Sequence, residues 1–170
     1  MMDLFTECLI KRRKHFKEYV VIFPLITLGF AATLAYLKYL SGGIFSGVGF
    51  AAVVVMWWGI YIAISNRNLE FEYTVTNSDV DIDMIMSKRS RKKVISFSIK
   101  DIEIIAPIEN LDDEVFGKEI DASAHDPRYD VYYISVVVGG VKTKVLINPT
   151  KKILDIFEQI RPDKVIRGEE

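Results

Sequence analysis

One cysteine, Cys8, is all the chain carries, so no internal disulfide framework can staple it. A lone thiol fits a reduced compartment. Histidine is nearly as scarce, with only His15 and His125. There is no paired-cysteine metal site, no Gly-rich phosphate loop and no nucleophile with a plausible triad. His125-Asp126 is a dipeptide type found at metal sites, but no second histidine lies near it in sequence. Asp112, Asp113, Glu114, Glu119, Asp121 and Asp126 make the acidic stretch. Calcium loops set oxygen ligands at fixed spacing around a tight glycine turn, and Gly117 falls outside that register. A flexible acidic loop is the reading, with no metal and no cofactor expected. Nor does the chain carry the basic excess of a nucleic-acid binder, since its net charge is −1. A non-enzyme is expected.

Charge is also missing from two long runs, Tyr19 to Leu37 and Ile44 to Ser65, parted only by Lys38-Tyr39-Leu40-Ser41-Gly42-Gly43. A bilayer core of roughly 30 Å takes about 20 apolar residues in a helix, and each run supplies close to that. Lipid offers the backbone no hydrogen-bonding partners, so such runs must be helical. The expectation is a transmembrane hairpin over 19–65, with spans at 19–39 and 44–65, the first helix starting near Phe16. Pro24 lies in its early turns, where it removes one backbone donor. Gly29, Ala32 and Ala35 on the first helix, and Gly47, Gly49, Ala51 and Ala52 on the second, offer close-packing surfaces. The Gly43–Gly47 spacing suits packing within the hairpin. Trp57, Trp58 and Tyr61 read as an aromatic belt. No Asp, Glu, Arg or His lies deep in either span, which argues against an ion or proton pathway.

Basic residues set the expected orientation. Lys11, Arg12, Arg13, Lys14 and Lys17 precede the first span directly, and such runs are retained on the cytoplasmic side. His15 among them reads as one more solvated side chain. Two crossings return the chain to its starting side, so the expected location is the cell membrane with both termini cytoplasmic. The basic run begins only at Lys11 and no small-residue cleavage site follows the apolar run, so the first span is expected to be retained. Within residues 1–18, Leu4, Phe5, Cys8 and Leu9 fall at helical spacing. That stretch is either a short amphipathic helix on the membrane surface or a frayed terminus. Cys8 has two readings as well, a thiol whose pKa the basic run lowers or an interfacial packing residue.

After Asn66-Arg67-Asn68 the period becomes two. Leu69, Phe71, Tyr73 and Val75 alternate with Glu70 and Glu72. Across an Asn77-Ser78 turn, Val80, Ile82, Met84 and Met86 alternate with Asp79, Asp81 and Asp83. Residues 87–91 read as a polar turn. A third strand over 92–98 buries either Val94, Ser96 and Ser98 or Ile95 and Phe97. A fourth runs over 102–108. Residues 109–128 form a long acidic loop holding one irregular edge strand. Gly139-Gly140 joins strands over 130–138 and 141–147 in a tight turn. Asn148 is placed to cap a last helix, with Pro149 in its first turn. Ile153, Leu154, Phe157 and Ile160 make that helix's apolar stripe, and Pro162 ends it.

The expected fold is thus α+β: a two-helix transmembrane hairpin, then an antiparallel β-barrel or sandwich of six or seven strands over 69–161 with a C-terminal capping helix, and a tail over 162–170. This order resembles the bacterial pleckstrin-homology-like (PH-like) domains, in which two spans often precede a small seven-stranded barrel. The resemblance rests on the opening 69–76, the Ser98-Ile99-Lys100-Asp101-Ile102 corner, and Val145-Leu146-Ile147-Asn148-Pro149 leading into the helix. The whole chain is also similar to a group of small two-span membrane proteins of Gram-positive bacteria, through the Asp3-Leu4-Phe5-Thr6-Glu7-Cys8 start and the 71–77 stretch. The long acidic loop departs from a minimal barrel and leaves the fifth strand open.

Outside the N-terminus, Lys88, Arg89, Arg91, Lys92 and Lys93 are the densest basic cluster. They fall at an expected strand-to-strand tip, similar to where eukaryotic PH domains hold phosphoinositides. Contact with anionic lipid is one reading, and a solvated turn that blocks edge pairing is the other. Function follows as an expectation: a non-enzymatic module held at the cytoplasmic leaflet to bind a membrane or cytoplasmic protein partner or anionic headgroups. The alternative is an accessory subunit packing through its spans in a larger membrane complex.

Overall fold

The computed structural model describes residues 5–14, 16–39, 41–44, 46–111 and 115–168, less the side chain of Lys17. The expectations for His15 and for Asp112, Asp113 and Glu114 lie outside these residues. The chain divides into two compact units, Lys14–Asn68 and the pair of segments Met1–Arg13 and Leu69–Glu170.

The first unit is the apolar hairpin, α1 (Phe16–Tyr39) and α2 (Ser46–Ser65), with Pro24 inside an unbroken α1. Both are long and apolar enough to cross a membrane, and almost none of their length is buried in the protein. Their contact is built at Gly29, where an added Cβ would come within 2.9 Å of Ile60 and 3.3 Å of Trp57. Gly43 and Gly47, by contrast, face open space, so that glycine spacing does not pack the hairpin. Trp57 also departs from the expected belt. Its ring meets Phe30 edge-on at 5.2 Å and its Nε1 donates to Thr33 Oγ1 at 3.0 Å, while Trp58 and Tyr61 are exposed. Tyr36 closes the loop end by donating to the Ser46 carbonyl at 3.0 Å.

The second unit holds eight strands and one α-helix among the described residues. They are β1 (Phe5–Lys11), β2 (Leu69–Thr76), β3 (Asp79–Met86), β4 (Ser90–Ser98), β5 (Ile102–Pro107), β6 (Lys118–Asp121), β7 (Tyr132–Val138), β8 (Val141–Ile147) and α3 (Lys151–Ile160). Two sheets, ordered β1-β2-β3-β4 and β5-β7-β8-β6, pack as a sandwich that does not close into a barrel. Phe71, Tyr73, Val75, Val80 and Ile82 from one sheet meet Ile105, Ile134, Val136 and Val145 from the other. Ile153, Leu154, Ile156 and Phe157 of α3 seal them. Each such side chain contributes roughly 1.5–3 kcal/mol of burial.

Two elements differ from expectation. The N-terminal stretch is a strand, not a helix: β1 pairs antiparallel with β2 along its length, from Phe5↔Thr76 to Lys11↔Glu70. Thr6 and Ile10 are buried on its inner face, with Cys8 half-buried opposite Tyr73. The hairpin is therefore an insertion between two paired strands. Burial pushes the Cys8 thiol up, the reverse of activation by the basic run. A maleimide should label Cys8 slowly in the folded protein and rapidly only in denaturant; equal rates would place β1 outside the sheet. The second difference is β6, the edge strand of the acidic loop, which runs parallel to β8 rather than antiparallel.

A bulge decides the ambiguous strand. Ile82 pairs with Ile95 but Asp83 pairs with Lys93, which leaves Val94 as the extra residue. Ile95 and Phe97 point inward. Without the bulge Lys93 would share their face, because side chains alternate along a strand.

Candidate functional site

The register places the legs of the hairpin and the basic cluster at one end of the first sheet. Lys11, the last residue of β1, pairs with Glu70, and Leu69, the first of β2, pairs with Met86. Met86 in turn pairs with Ser90 across a tight turn closed by Arg89 N donating to the Met86 carbonyl at 3.0 Å. Ser87 and Lys88 are both left-handed, with φ of 53° and 57°. Gly139 and Gly140 fill the corresponding turn between β7 and β8 with φ of 60° and 79°. Glycine takes that conformation freely, whereas an L side chain pays roughly 1 kcal/mol or more for it.

Three of the five basic residues, Arg91, Lys92 and Lys93, lie on β4 rather than in the turn, and Arg91 and Lys93 are engaged by the sheet's acidic face. Arg91 meets Glu72 at 2.5 Å, with Asp83 4.0 Å away, and Lys93 donates to Asp81 at 2.7 Å. Burial pushes the Glu72 carboxyl up, and the adjacent Glu7 carboxyl adds to this while Arg91 opposes it. The Lys93 ammonium holds Asp81 below the usual carboxylate range, and Asp81 pushes Lys93 up. Lys88, Arg89 and Lys92 are exposed.

The basic run before α1 is split the same way. Lys11, Arg12 and Arg13 belong to the sandwich unit and Lys14 to the hairpin unit. Arg12 N donates to the Leu69 carbonyl at 2.9 Å and Arg13 N to the Ala124 carbonyl at 2.7 Å. Arg12 Nη2 lies 3.2 Å from His125 Nδ1 and 3.8 Å from Asp121. The side chain of Lys17 is outside the described residues.

Ala124 belongs to a segment that closes this end of the sandwich. Ala122 and Ala124 are fully buried, and Tyr73 donates its hydroxyl to the Ala122 carbonyl at 2.6 Å. Asn148 Oδ1 accepts from Ala124 N at 2.6 Å, and its Nδ2 donates to the carbonyls of Asp130 at 2.8 Å and Tyr129 at 3.3 Å. Asn148 is thus no helix cap. Thr150 holds that position, without a side-chain capping bond. His125, left-handed at φ 52°, sits 2.5 Å from Asp121, while Arg128 clasps Asp126 and holds its pKa down at about 2. Among the described residues no three His, Cys, Asp or Glu converge as metal ligands.

Two hollows remain. A slot of about 430 Å³ runs beside β4, between Val94 and Ile95 on one side and Val138 and Val141 on the other. A cleft of about 790 Å³ lies where Pro107, Tyr132 and Leu154 meet Arg167 and Gly168. The last two residues belong to a tail whose packing the sequence hardly signals. Its one clue is the apolar pair Val165-Ile166 set between Lys164 and Arg167.

Two four-stranded sheets around one apolar core, sealed by a C-terminal amphipathic helix, define a PH-like domain, here interrupted after its first strand by an apolar helical hairpin. The chain belongs to the family described as bacterial PH-like domain, DUF6106, whose profile matches residues 2–167 and so takes in both β1 and the hairpin. No curated protein and no solved structure matches it.

Proposed function

We propose that this protein is a non-enzymatic, membrane-anchored interaction module whose PH-like domain touches anionic lipid headgroups on the cytoplasmic leaflet. The observation that carries the reading is the shared sheet end. Both hairpin legs and the Ser87–Arg89 turn emerge there. Only Asn66, Arg67 and Asn68 separate α2 from Leu69, and Met86 is on the neighbouring strand, about 4.8 Å away. Because β1 and β2 pair, the two legs return to one side, and the basic run favours the cytoplasm. Lys88, Arg89 and Lys92 are then the contact residues, each contributing up to about 1 kcal/mol near an anionic surface. Arg91 and Lys93 serve the sheet instead.

The turn supports this from a second direction. Ser87-Lys88 holds a conformation that Asn-Gly would hold at lower energy, so the side chains are kept at a cost, as at other sites where strain accompanies function. Replacing Ser87-Lys88 with Asn-Gly should stabilise the domain by about 1–2 kcal/mol and weaken lipid contact. The check uses the full chain in nanodiscs, with Ser90→Cys in a Cys8→Ser background carrying an environment-sensitive dye. Emission should differ between phosphatidylcholine and phosphatidylglycerol discs. That difference should fall in the Asn-Gly variant and vanish in the triple variant Lys88→Glu, Arg89→Glu, Lys92→Glu. Identical emission in both lipids would reject headgroup contact.

A second reading, an accessory subunit of a larger complex, draws support from α2. Gly47 and Gly59 each face open space there, two separate places where another helix can approach closely. A discrete large particle in mild detergent would favour it.

A further inference from the structure

The segment after α3 behaves as a ligand of its own domain. Val165 forms an isolated parallel bridge with Ile105 at the edge of β5, the edge that faces away from β7. Ile105 N donates to the Lys164 carbonyl and Ile166 N to the Ile105 carbonyl, both at 2.8 Å. Val165 packs against the core, Ile166 stays 41% exposed, and Gly168 N donates to the Tyr132 hydroxyl at 3.1 Å. Arg167 reaches the other wall, meeting Asp155 at 2.6 Å and Glu158 at 2.5 Å on α3.

Asp155 and Glu158 stand one turn apart on the helix, where two carboxylates side by side repel unless a cation joins them. Beyond Gly168 the adjoining cleft adds Glu109 and Asp130 against Lys151. With the tail lifted away, this surface would offer an unpaired strand edge, an apolar seat and an acidic excess. Those are the requirements for adding an extended basic segment as a strand. The tail's own hold is slight. It consists of two main-chain bonds at the bridge, one at Gly168, one from Lys164 N to the Arg161 carbonyl, one seated side chain, and solvent-screened surface ion pairs of Asp163 with Arg161 and of Arg167 with Asp155 and Glu158.

We propose that the groove between β5 and α3 is a docking site for an extended basic segment of a partner protein, an aliphatic residue followed two positions on by arginine, and that residues 163–168 fill it as a displaceable intramolecular ligand. The occupant's pattern is set by Val165 and Arg167. An apolar residue enters beside Ile105, and a guanidinium bridges Asp155 and Glu158. The tethered tail competes at high effective concentration, so the site is closed until a partner segment outcompetes it or the tail is drawn off.

The test uses the detergent-solubilised full chain and a labelled hexapeptide copying residues 163–168. Lipid contact plays no part in the assay, so its failure and that of the headgroup reading are separate results. A chain with Val165→Asp and Arg167→Glu should bind the peptide saturably, and the unaltered chain about ten-fold more weakly or worse. Adding Asp155→Asn and Glu158→Gln should abolish binding, as should an Arg→Glu change in the peptide. Equal binding to both chains, or none to a variant that keeps its circular dichroism and melting transition, would overturn the proposal. So would concentration-dependent dimers of the unaltered chain that Val165→Asp removes, since they would show exchange between copies. A second readout needs no substitution. The Ile166 amide should exchange with deuterium far faster than that of Ile134 in β7, and exchange at the same slow rate would show the tail to be a fixed part of the fold.

Discussion

A head domain made by replacing residues 14–66 with a short Gly-Ser linker should fold as a cooperative, water-soluble unit, whereas a fragment beginning at Asn66 should not. Arg12 N bonds the Leu69 carbonyl at 2.9 Å and Lys11 pairs with Glu70, so the ends to be joined are already neighbours. Hairpin loops of two to five residues span such a gap. The Asn66 fragment lacks β1 altogether. It loses the buried Ile10 and Thr6, the packing of Cys8 on Tyr73, and a seven-residue ladder on β2. The inner-face residues Phe71 and Tyr73, each 2% exposed, would then border a raw edge. Burial of Ile10 and Cys8 with the ladder comes to about 5 kcal/mol or more, on the order of a small domain's whole stability. Urea denaturation followed by circular dichroism separates the outcomes. A cooperative transition of the Asn66 fragment at the same midpoint as the linked head would show that β1 is dispensable.

What the sequence conceals here is long-range. Strict alternation in 69–86 places β2 and β3 to the residue, because a half-buried strand writes its period locally. The two apolar helices are as plain, since long charge-free runs need no partner to be recognised. β1 is hidden because its inward set is Thr6, Cys8 and Ile10, while Phe5 and Leu9 are more than half exposed. That mixture imitates helical spacing, and the pairing strand lies beyond the whole hairpin. The site behaves likewise. The basic cluster is visible as composition, but only the register shows that Arg91 and Lys93 belong to Glu72 and Asp81. The bulge at Val94 carries no marker of its own. Trp57 sits in an apolar run with nothing to say that its partner is Thr33.

Asn148 makes the same point energetically, and Asn148→Leu should be among the most damaging single substitutions in the domain. The side chain is 2% exposed and its amide satisfies Ala124 N and the carbonyls of Asp130 and Tyr129. Leucine has similar bulk but no polar atom. Each buried group it leaves unpaired costs about 1–3 kcal/mol, so a loss of about 3–5 kcal/mol is expected. Tyr73→Phe removes the bond to the Ala122 carbonyl and the longer one that the hydroxyl accepts from Asn148 N, and should cost about 1–2 kcal/mol. Asn148→Asp adds a pH signature. Its carboxylate accepts from Ala124 N but faces two carbonyls, and burial holds its folded pKa above the ordinary value of about 4. The native state then keeps the proton longer than the unfolded chain, so stability falls as pH rises through that interval. The consequence reaches the residues that lead into α1, because the segment that Asn148 holds also accepts Arg13 N at Ala124. Exchange at the Arg13 amide should quicken in Asn148→Leu even where the protein remains folded. A variant within about 1 kcal/mol of the parent, with Arg13 still protected, would mean that the closing segment is held by packing alone.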